Sequence, residues 1–236
     1  MAVSVPRDRC RPGAAPGILP EMASTSDAAE PGGRDGPRVR GYRPHDVAAV
    51  YDICVRTAAR GGDARGRYFT DDLMPDIFAG PYIHLEPEMA FVLDDGRRAV
   101  GYVVGTADTE AFVRAYRRRW IPRLAGRYPR APDRPVTPDE RMLFLHHHPE
   151  RMLVPELARY PAHLHIDVLP EHQGGGHGRA LMETFVAAAA AAGAPGVHLG
   201  LDPGNTRARG FYERLGFTEI AVPDAGDVVY LARPTR

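Results

Sequence analysis

His163-Leu-His-Ile-Asp-Val-Leu-Pro-Glu-His-Gln-Gly-Gly-Gly-His-Gly178 is the stretch that decides the fold of this chain. Its opening residues alternate: His163, His165 and Asp167 take one side, Leu164, Ile166 and Val168 the other, which is the period of a strand. A run of glycines follows, and from His177 to Ala192 the apolar residues return at helical spacing until Gly193 closes the element. A glycine-rich turn between a strand and a helix lets backbone N–H groups converge on an anion at the positive end of the helix. The segment Gly174 to Arg179 is therefore expected to hold an anion, the plainer reading being a flexible turn.

Downstream the alternation continues. A strand is expected from Val197 to Leu201, then a helix from Thr206 to Leu215 closed by Gly216. A strand from Phe217 and a last one over Val228 to Ala232 complete the order. Strand, helix, strand, helix, strand argues for an α/β sheet, and a right-handed crossover puts the first two of these strands side by side and parallel. Upstream, Arg38 to Tyr42 reads as a short strand, and Pro44-His45-Asp46 opens a helix with Val47, Val50, Tyr51, Cys54 and Val55 on one face. Thr70 to Phe78 reads as a second short helix capped by Thr70. Met89 to Leu93 and Ala99 to Thr106 form a hairpin turned at Asp94-Asp95-Gly96. Between 107 and 162 lies a helical insertion. There Phe112, Tyr116, Trp120 and Leu124 make an apolar stripe that Pro122 is expected to kink, and a further helix runs from Thr137 to His146. Residues 1–37, rich in Pro, Gly, Ala and Ser, read as a disordered tail, leaving 38–236 as a single domain.

Composition removes several function classes. The 30 basic and 30 acidic residues cancel, so no overall charge steers the chain to nucleic acid or to a membrane surface. No apolar run approaches the length of a membrane span, and Pro6, Arg7, Asp8 and Arg9 break any signal-peptide core, so a cytoplasmic protein is expected. All the basic residues are arginine, so the chain has no lysine of its own to acylate. Cys10 and Cys54 belong to no Cys-x-x-Cys pair, which argues against a disulfide framework or structural zinc. His146, His147 and His148 are consecutive on a helix and diverge, so no metal site is expected of them. Arg114, Arg117, Arg118, Arg119 and Arg123 form either an anion-binding wall or the wet face of a helix, and the wet face is the commoner outcome.

The anion is not a P-loop nucleotide, because the chain has no Gly-Lys-Ser or Gly-Lys-Thr, and a dinucleotide fingerprint fails at Arg179 in one register and at Leu181 in the other. Gln173-x-x-Gly176-x-Gly178 resembles the pyrophosphate motif of the GNAT acyltransferases. Asn205-x-x-Ala208-x-x-Phe211-Tyr212-x-x-Leu215-Gly216-Phe217 resembles the second signature of that family. Gly101 to Asp108, Trp120-Ile-Pro122, Val154-Pro-Glu156 and His165 to Leu169 are similar to the acetyltransferase-like C-terminal region of the O-GlcNAcases and to free-standing bacterial acetyltransferases related to it. The animal region lacks the glycine motif that stands here as Gly176 and Gly178.

The resemblance implies a GNAT fold: a mixed, mostly antiparallel twisted sheet with a parallel, splayed central strand pair, flanked by helices. It implies acetyl-CoA as cosubstrate, contacted by Val168, Leu169, Gln173, Gly174, Gly175, Gly176, His177, Gly178, Arg179, Asn205 and Tyr212, and a primary amine as acceptor. Such chemistry needs a donor for the thioester oxygen, a base for the ammonium and an acid for the leaving thiolate. The resemblance gives the first role to the Val168 N–H and the last to Tyr212, which equally fits the apolar face of its helix. Asn205 is a helix cap or a coenzyme contact, or both. Asp167 and His165 are the candidate bases, with hydrogen bonds under the insertion as their plainer reading. The insertion is expected to roof the acceptor groove. The alternative is a module of the same fold that binds acetyl-CoA or a peptide without turnover. No motif names the acceptor, the acyl-chain preference or the oligomeric state.

Overall fold

The structure is a computed structural model that describes residues 36–236 apart from 60 and 224; most of the expected tail, 1–35, lies outside the described residues. In chain order the elements are β1 (Arg38–Gly41), α1 (Val47–Thr57), α2 (Leu73–Phe78), α3 (Gly80–Leu85), β2 (Ala90–Asp94), β3 (Ala99–Thr106) and α4 (Thr109–Ala115). There follow α5 (Ile121–Leu124), α6 (Pro138–His147), β4 (Ala162–Val168), α7 (His177–Ala191), β5 (Gly196–Leu201), α8 (Thr206–Glu213), β6 (Thr218–Ile220) and β7 (Val229–Pro234).

The strands form one seven-stranded sheet in the order β1-β2-β3-β4-β5-β7-β6. Every neighbouring pair is antiparallel except β4 and β5, the parallel pair that the strand–helix alternation predicts. Strand β3 is buried along its whole length because helices cover both faces of the sheet. The two faces follow the strand alternation. Gly105 lies beneath Phe185 of α7, where a Cβ would come within 2.1 Å of the His163 carbonyl and 2.6 Å of the Phe185 ring. Only glycine lets α7 lie that close. Leu181, Met182, Phe185, Val186 and Ala189 of α7 are buried with it, each large one contributing about 1.5–3 kcal/mol. The opposite face carries Tyr102, His163, His165 and Asp167 beneath α1 and α3.

Two expectations are corrected in and around the helical region, and one helix is added to them. Thr70 does not cap α2: its carbonyl accepts from Leu73 N–H and its hydroxyl from Asp72 N–H, a turn that precedes a helix starting at Leu73. Helix α3 was not anticipated; it begins directly at Gly80, where any side chain would strike Tyr51 Oη at 2.5 Å and Trp120 at 2.9 Å. The kink expected at Pro122 is instead a π-helical turn over Tyr116–Trp120 that leads into α5. Pro122 has no N–H to give to the preceding turn, and a wider turn absorbs the mismatch.

The insertion is anchored to α2 by one carboxylate. Asp76, 1% exposed, accepts from Tyr51 Oη at 2.6 Å, Tyr128 Oη at 2.6 Å and the Arg127 guanidinium at 3.0 Å. Its backbone carbonyl takes the Trp120 indole N–H at 2.8 Å. Arg114 and Arg117 pair with Glu110 and Glu150 on the exposed face of the same helical segment. The imidazoles of the histidine run go to different partners: His146 to Tyr116 Oη, His147 to the Pro129 carbonyl and His148 to the Phe144 carbonyl.

Burial keeps His146, His163 and His198 neutral, with His146 brought down to about 4 and His163 well below its ordinary value. Between the ordinary histidine range and the native value, only the unfolded chain takes up these protons, so stability present at neutral pH is lost as pH falls. Asp167, raised to about 6 by burial, and Glu86, also raised by burial, work in the opposite sense, but as two groups against several. Thermal melts are expected to drop by on the order of 10 °C between pH 7 and pH 4.5; a flat profile would contradict neutral burial of these rings.

Candidate active site

A cleft of about 890 Å³ opens where β4 and β5 part. The two strands pair at Ala162↔Val197 and His163↔His198, and no further paired residues follow. Leu169 N–H bonds to Val100 O at 3.0 Å. Because successive peptide groups of a strand face opposite ways, the N–H of Val168 turns from β3 toward the gap. The Val168 carbonyl, on the same side, takes the Gln173 side-chain amide at 2.8 Å. Gln173 thus ties the turn to the strand and leaves the Val168 N–H as the donor facing the opening.

The glycine turn is built as the sequence requires. Gly174 and Gly176 have φ of 87° and 80°, which an L side chain adopts only under strain. Gly176 is the N-cap of α7 and brings no side chain to the first turn of that 15-residue helix, so those N–H groups are open to an anion. Gly178 sits in that turn against Phe211, its absent Cβ 3.3 Å from the ring. Arg179 lines the cleft and also meets Glu183 at 3.4 Å. Gly175 and His177 flank the lining, with the His177 ring folded back on Gly175. Leu169 does not reach the cleft: its side chain is fully buried and its carbonyl accepts from His172 N–H. It holds the turn and is corrected as a coenzyme contact.

Across the gap, Asn205 caps α8 by accepting from Ala208 N–H at 3.1 Å and also lines the cleft. Tyr212 is half-buried between Phe211 and Phe217, and burial together with the Asp167 charge holds its phenol protonated well above neutrality. It lines the cleft from the edge of the core.

Asp167 faces the cleft from β4. Burial raises its carboxyl to about 6, against the opposing pull of a hydrogen bond from Tyr102. The Tyr102 hydroxyl, on the neighbouring strand, donates to Asp167 Oδ2 at 2.6 Å, and Cys54 stands behind it. His165 is walled by Phe78 and Tyr82, with ring centroids at 5.5 and 5.4 Å. Burial, with Arg151 and His198 adding to it, brings His165 down to about 4, so it is a neutral imidazole at physiological pH. His163 is committed: its ring nitrogens meet Tyr82 Oη at 2.8 Å and Thr109 Oγ1 at 2.7 Å.

Tyr102→Phe removes a donor that favours the ionised carboxylate. With Asp167 as base, kcat/KM rises with pH through about 6, and in the variant that limb moves to higher pH, by about one unit. A pH–rate profile with an unmoved limb would separate Tyr102 from the base.

No residue from 107 to 162 lines the cleft, which corrects the insertion as its roof. The insertion packs behind α2, and the wall is made by α1 and α2 themselves, through Cys54, Thr57, Met74 and Phe78. These residues carry no motif, and only the half-exposed apolar face of α2 could have pointed to them. Arg207 of α8 and Arg214, just past its end, also line the cleft and were not anticipated.

Set beside known proteins, residues 137–217 match the Acetyltransferase (GNAT) family. The crystal structure of SsHAT is 59% identical to this chain, covers 86% of it and 100% of that protein, and superposes with a TM-score of 0.81. Protein O-GlcNAcase of Rattus norvegicus is 29% identical over 199 residues, 83% of this chain but 22% of that protein, so the chain spans about a fifth of the length of this curated relative. At the level of fold alone, yncA of Salmonella typhimurium, solved with its cofactor acetyl-CoA, is 16% identical, with a TM-score of 0.51 over 86% of this chain and 95% of its own.

Proposed function

This chain belongs to the GNAT acetyltransferases, a family of acyltransferases, and we propose that it moves the acetyl group of acetyl-CoA onto a primary amine within a single domain over 38–236. The observation that carries the reading is a carboxyl group raised to about 6 in the cleft that also exposes the N-terminus of α7. A base of that strength is ionised at neutral pH and still able to take a proton from an ammonium group.

The residues fit the coenzyme. The open N–H groups at the start of α7, with Arg179 beside them, match a pyrophosphate. The Val168 N–H meets the requirement for a donor at the thioester oxygen. When bound, acetyl-CoA supplies an activated acetyl group. Asp167 takes a proton from the acceptor's ammonium, freeing the lone pair that forms the new C–N bond. The Val168 N–H donates to the carbonyl oxygen as charge gathers there. Tyr212, kept protonated, gives its proton to the thiolate as the C–S bond breaks, and the second proton leaving the amine nitrogen makes good that loss. His165, neutral in the same wall, serves as a hydrogen-bonding partner to the acceptor, and Asn205 fixes the end of α8 that faces the coenzyme.

The test is thiol release from acetyl-CoA with a panel of primary amines, run beside a calorimetric titration of the coenzyme. Amine-dependent release supports the reading. Binding without release from any amine would instead establish a non-catalytic binding module.

A further inference from the structure

His165 is held between two rings and left open toward the cleft. Phe78 and Tyr82 stand edge-on to it, with centroids at 5.5 and 5.4 Å. Tyr82 is itself locked, its ring stacked on Phe112 at 4.4 Å and its hydroxyl committed to His163. The Thr109 hydroxyl donates to the Pro161 carbonyl at 2.7 Å, so the same oxygen accepts from His163 Nδ1–H at 2.7 Å. His163 Nε2 then carries no proton and accepts from the Tyr82 hydroxyl at 2.8 Å. Tyr82 has nothing left to donate to His165. Among the described residues, neither ring nitrogen of His165 has a hydrogen-bond partner. Nor are these nitrogens sealed, because His146 Nε2 is the one side-chain atom of the described residues that is both buried and unpartnered. They open into the cleft that His165 lines.

A neutral imidazole offers one donor and one acceptor, so it can meet a hydroxyl in either sense. Burial keeps this imidazole neutral at physiological pH. Asp167 lies two residues along the same face of β4, and the ladder to β3 runs regularly through both, at Val104↔His165 and Tyr102↔Asp167. The two side chains therefore rise from points about 6.6 Å apart. An amine on Asp167 and a hydroxyl on His165 would stand about 5–6 Å from each other, the span of a three- to four-carbon chain. Met74 and Phe78, in the same wall, can take the methylenes between them.

We infer that His165 is the specificity-determining residue of the acceptor subsite and that the acceptor is an amino alcohol, a primary amine carrying a hydroxyl three to four carbons away. The inference rests on the reading of Asp167 as the base of an amine acetyltransferase. Asp167 selects the amine, and His165 reads the group at the other end of the chain.

The test compares 4-amino-1-butanol with pentylamine at saturating acetyl-CoA, following thiol release in the parent protein, His165→Leu and His165→Gln. The two amines differ only by a hydroxyl in place of a methyl group. We expect kcat/KM to favour the amino alcohol by about tenfold in the parent protein, the net worth of one hydrogen bond. The preference should vanish in His165→Leu and survive in part in His165→Gln, which keeps a donor and an acceptor. A shorter pair, 2-aminoethanol and propylamine, should show no preference, because its hydroxyl stops short of His165. Titration with acetyl-CoA checks that each variant is folded. Equal turnover of 4-amino-1-butanol and pentylamine would overturn the inference while leaving amine acetylation standing. So would a preference that persists in His165→Leu, or one equally large in the shorter pair. Coenzyme binding with no release from any primary amine would remove the catalytic reading, and the inference with it.

Discussion

Replacing Gly178 with glutamate is expected to abolish measurable acetyl-CoA binding while leaving the protein folded. Gly178 lies in the first turn of α7, and its missing Cβ would stand 3.3 Å from the Phe211 ring. Any side chain there displaces an aromatic group of the cleft wall. A carboxylate adds negative charge where the uncapped N–H groups of α7 face the proposed pyrophosphate, replacing attraction by repulsion worth several kcal/mol. An affinity loss of at least about a hundredfold follows, which is roughly 2.7 kcal/mol. The helix itself gains, because glycine inside a helix costs about 0.5–1 kcal/mol relative to alanine. Gly178→Ala is the control: it meets Phe211 without the charge and should weaken binding far less. Calorimetric titration reads all three proteins. Unchanged affinity in the glutamate variant would move the coenzyme away from the glycine turn.

The second large effect concerns Asp167. Asp167→Asn keeps the shape and removes the base, so kcat should fall by about 10²–10⁴-fold while acetyl-CoA affinity stays level. Tyr212→Phe withdraws the proposed acid, and a smaller fall of roughly tenfold to a hundredfold is expected, because water can protonate a thiolate. A carboxylate whose removal leaves kcat within a factor of about three would not be the base. Were the coenzyme affinity to fall in parallel, Asp167 would belong to the binding surface.

The reading of the sequence succeeds where the signal is local. The strand from His163, the glycine turn and α7 declare themselves through two periods and a run of residues that serves few other purposes. The parallel neighbour of β4 follows from crossover handedness alone. The cap of α8 is equally local, since Asn205 needs only the N–H of Ala208 three residues on. What failed depends on distant chain. Helix α3 forms against Tyr51 and Trp120. The apolar stripe of the insertion shows which side is buried but not what it is buried against, hence the misplaced roof. In the same way Asp167 was legible as one of a titratable row, whereas its partner Tyr102, 65 residues away, was not. That bond separates Asp167 from His163, which sits on the same face of the strand and is spent on Tyr82 and Thr109.

The parting of β4 from β5 carries a cost that any redesign of this protein will meet. Each ladder hydrogen bond left unmade between them forgoes on the order of 1 kcal/mol, and the Val168 N–H stays available because its natural partner strand has turned away. A substitution that drew the two strands together would therefore raise the melting temperature and silence the enzyme at once. Selection for heat resistance alone should drift toward that sealed sheet, and lineages that keep turnover are expected to find their extra stability in the helices and the insertion, where nothing has to remain unfinished.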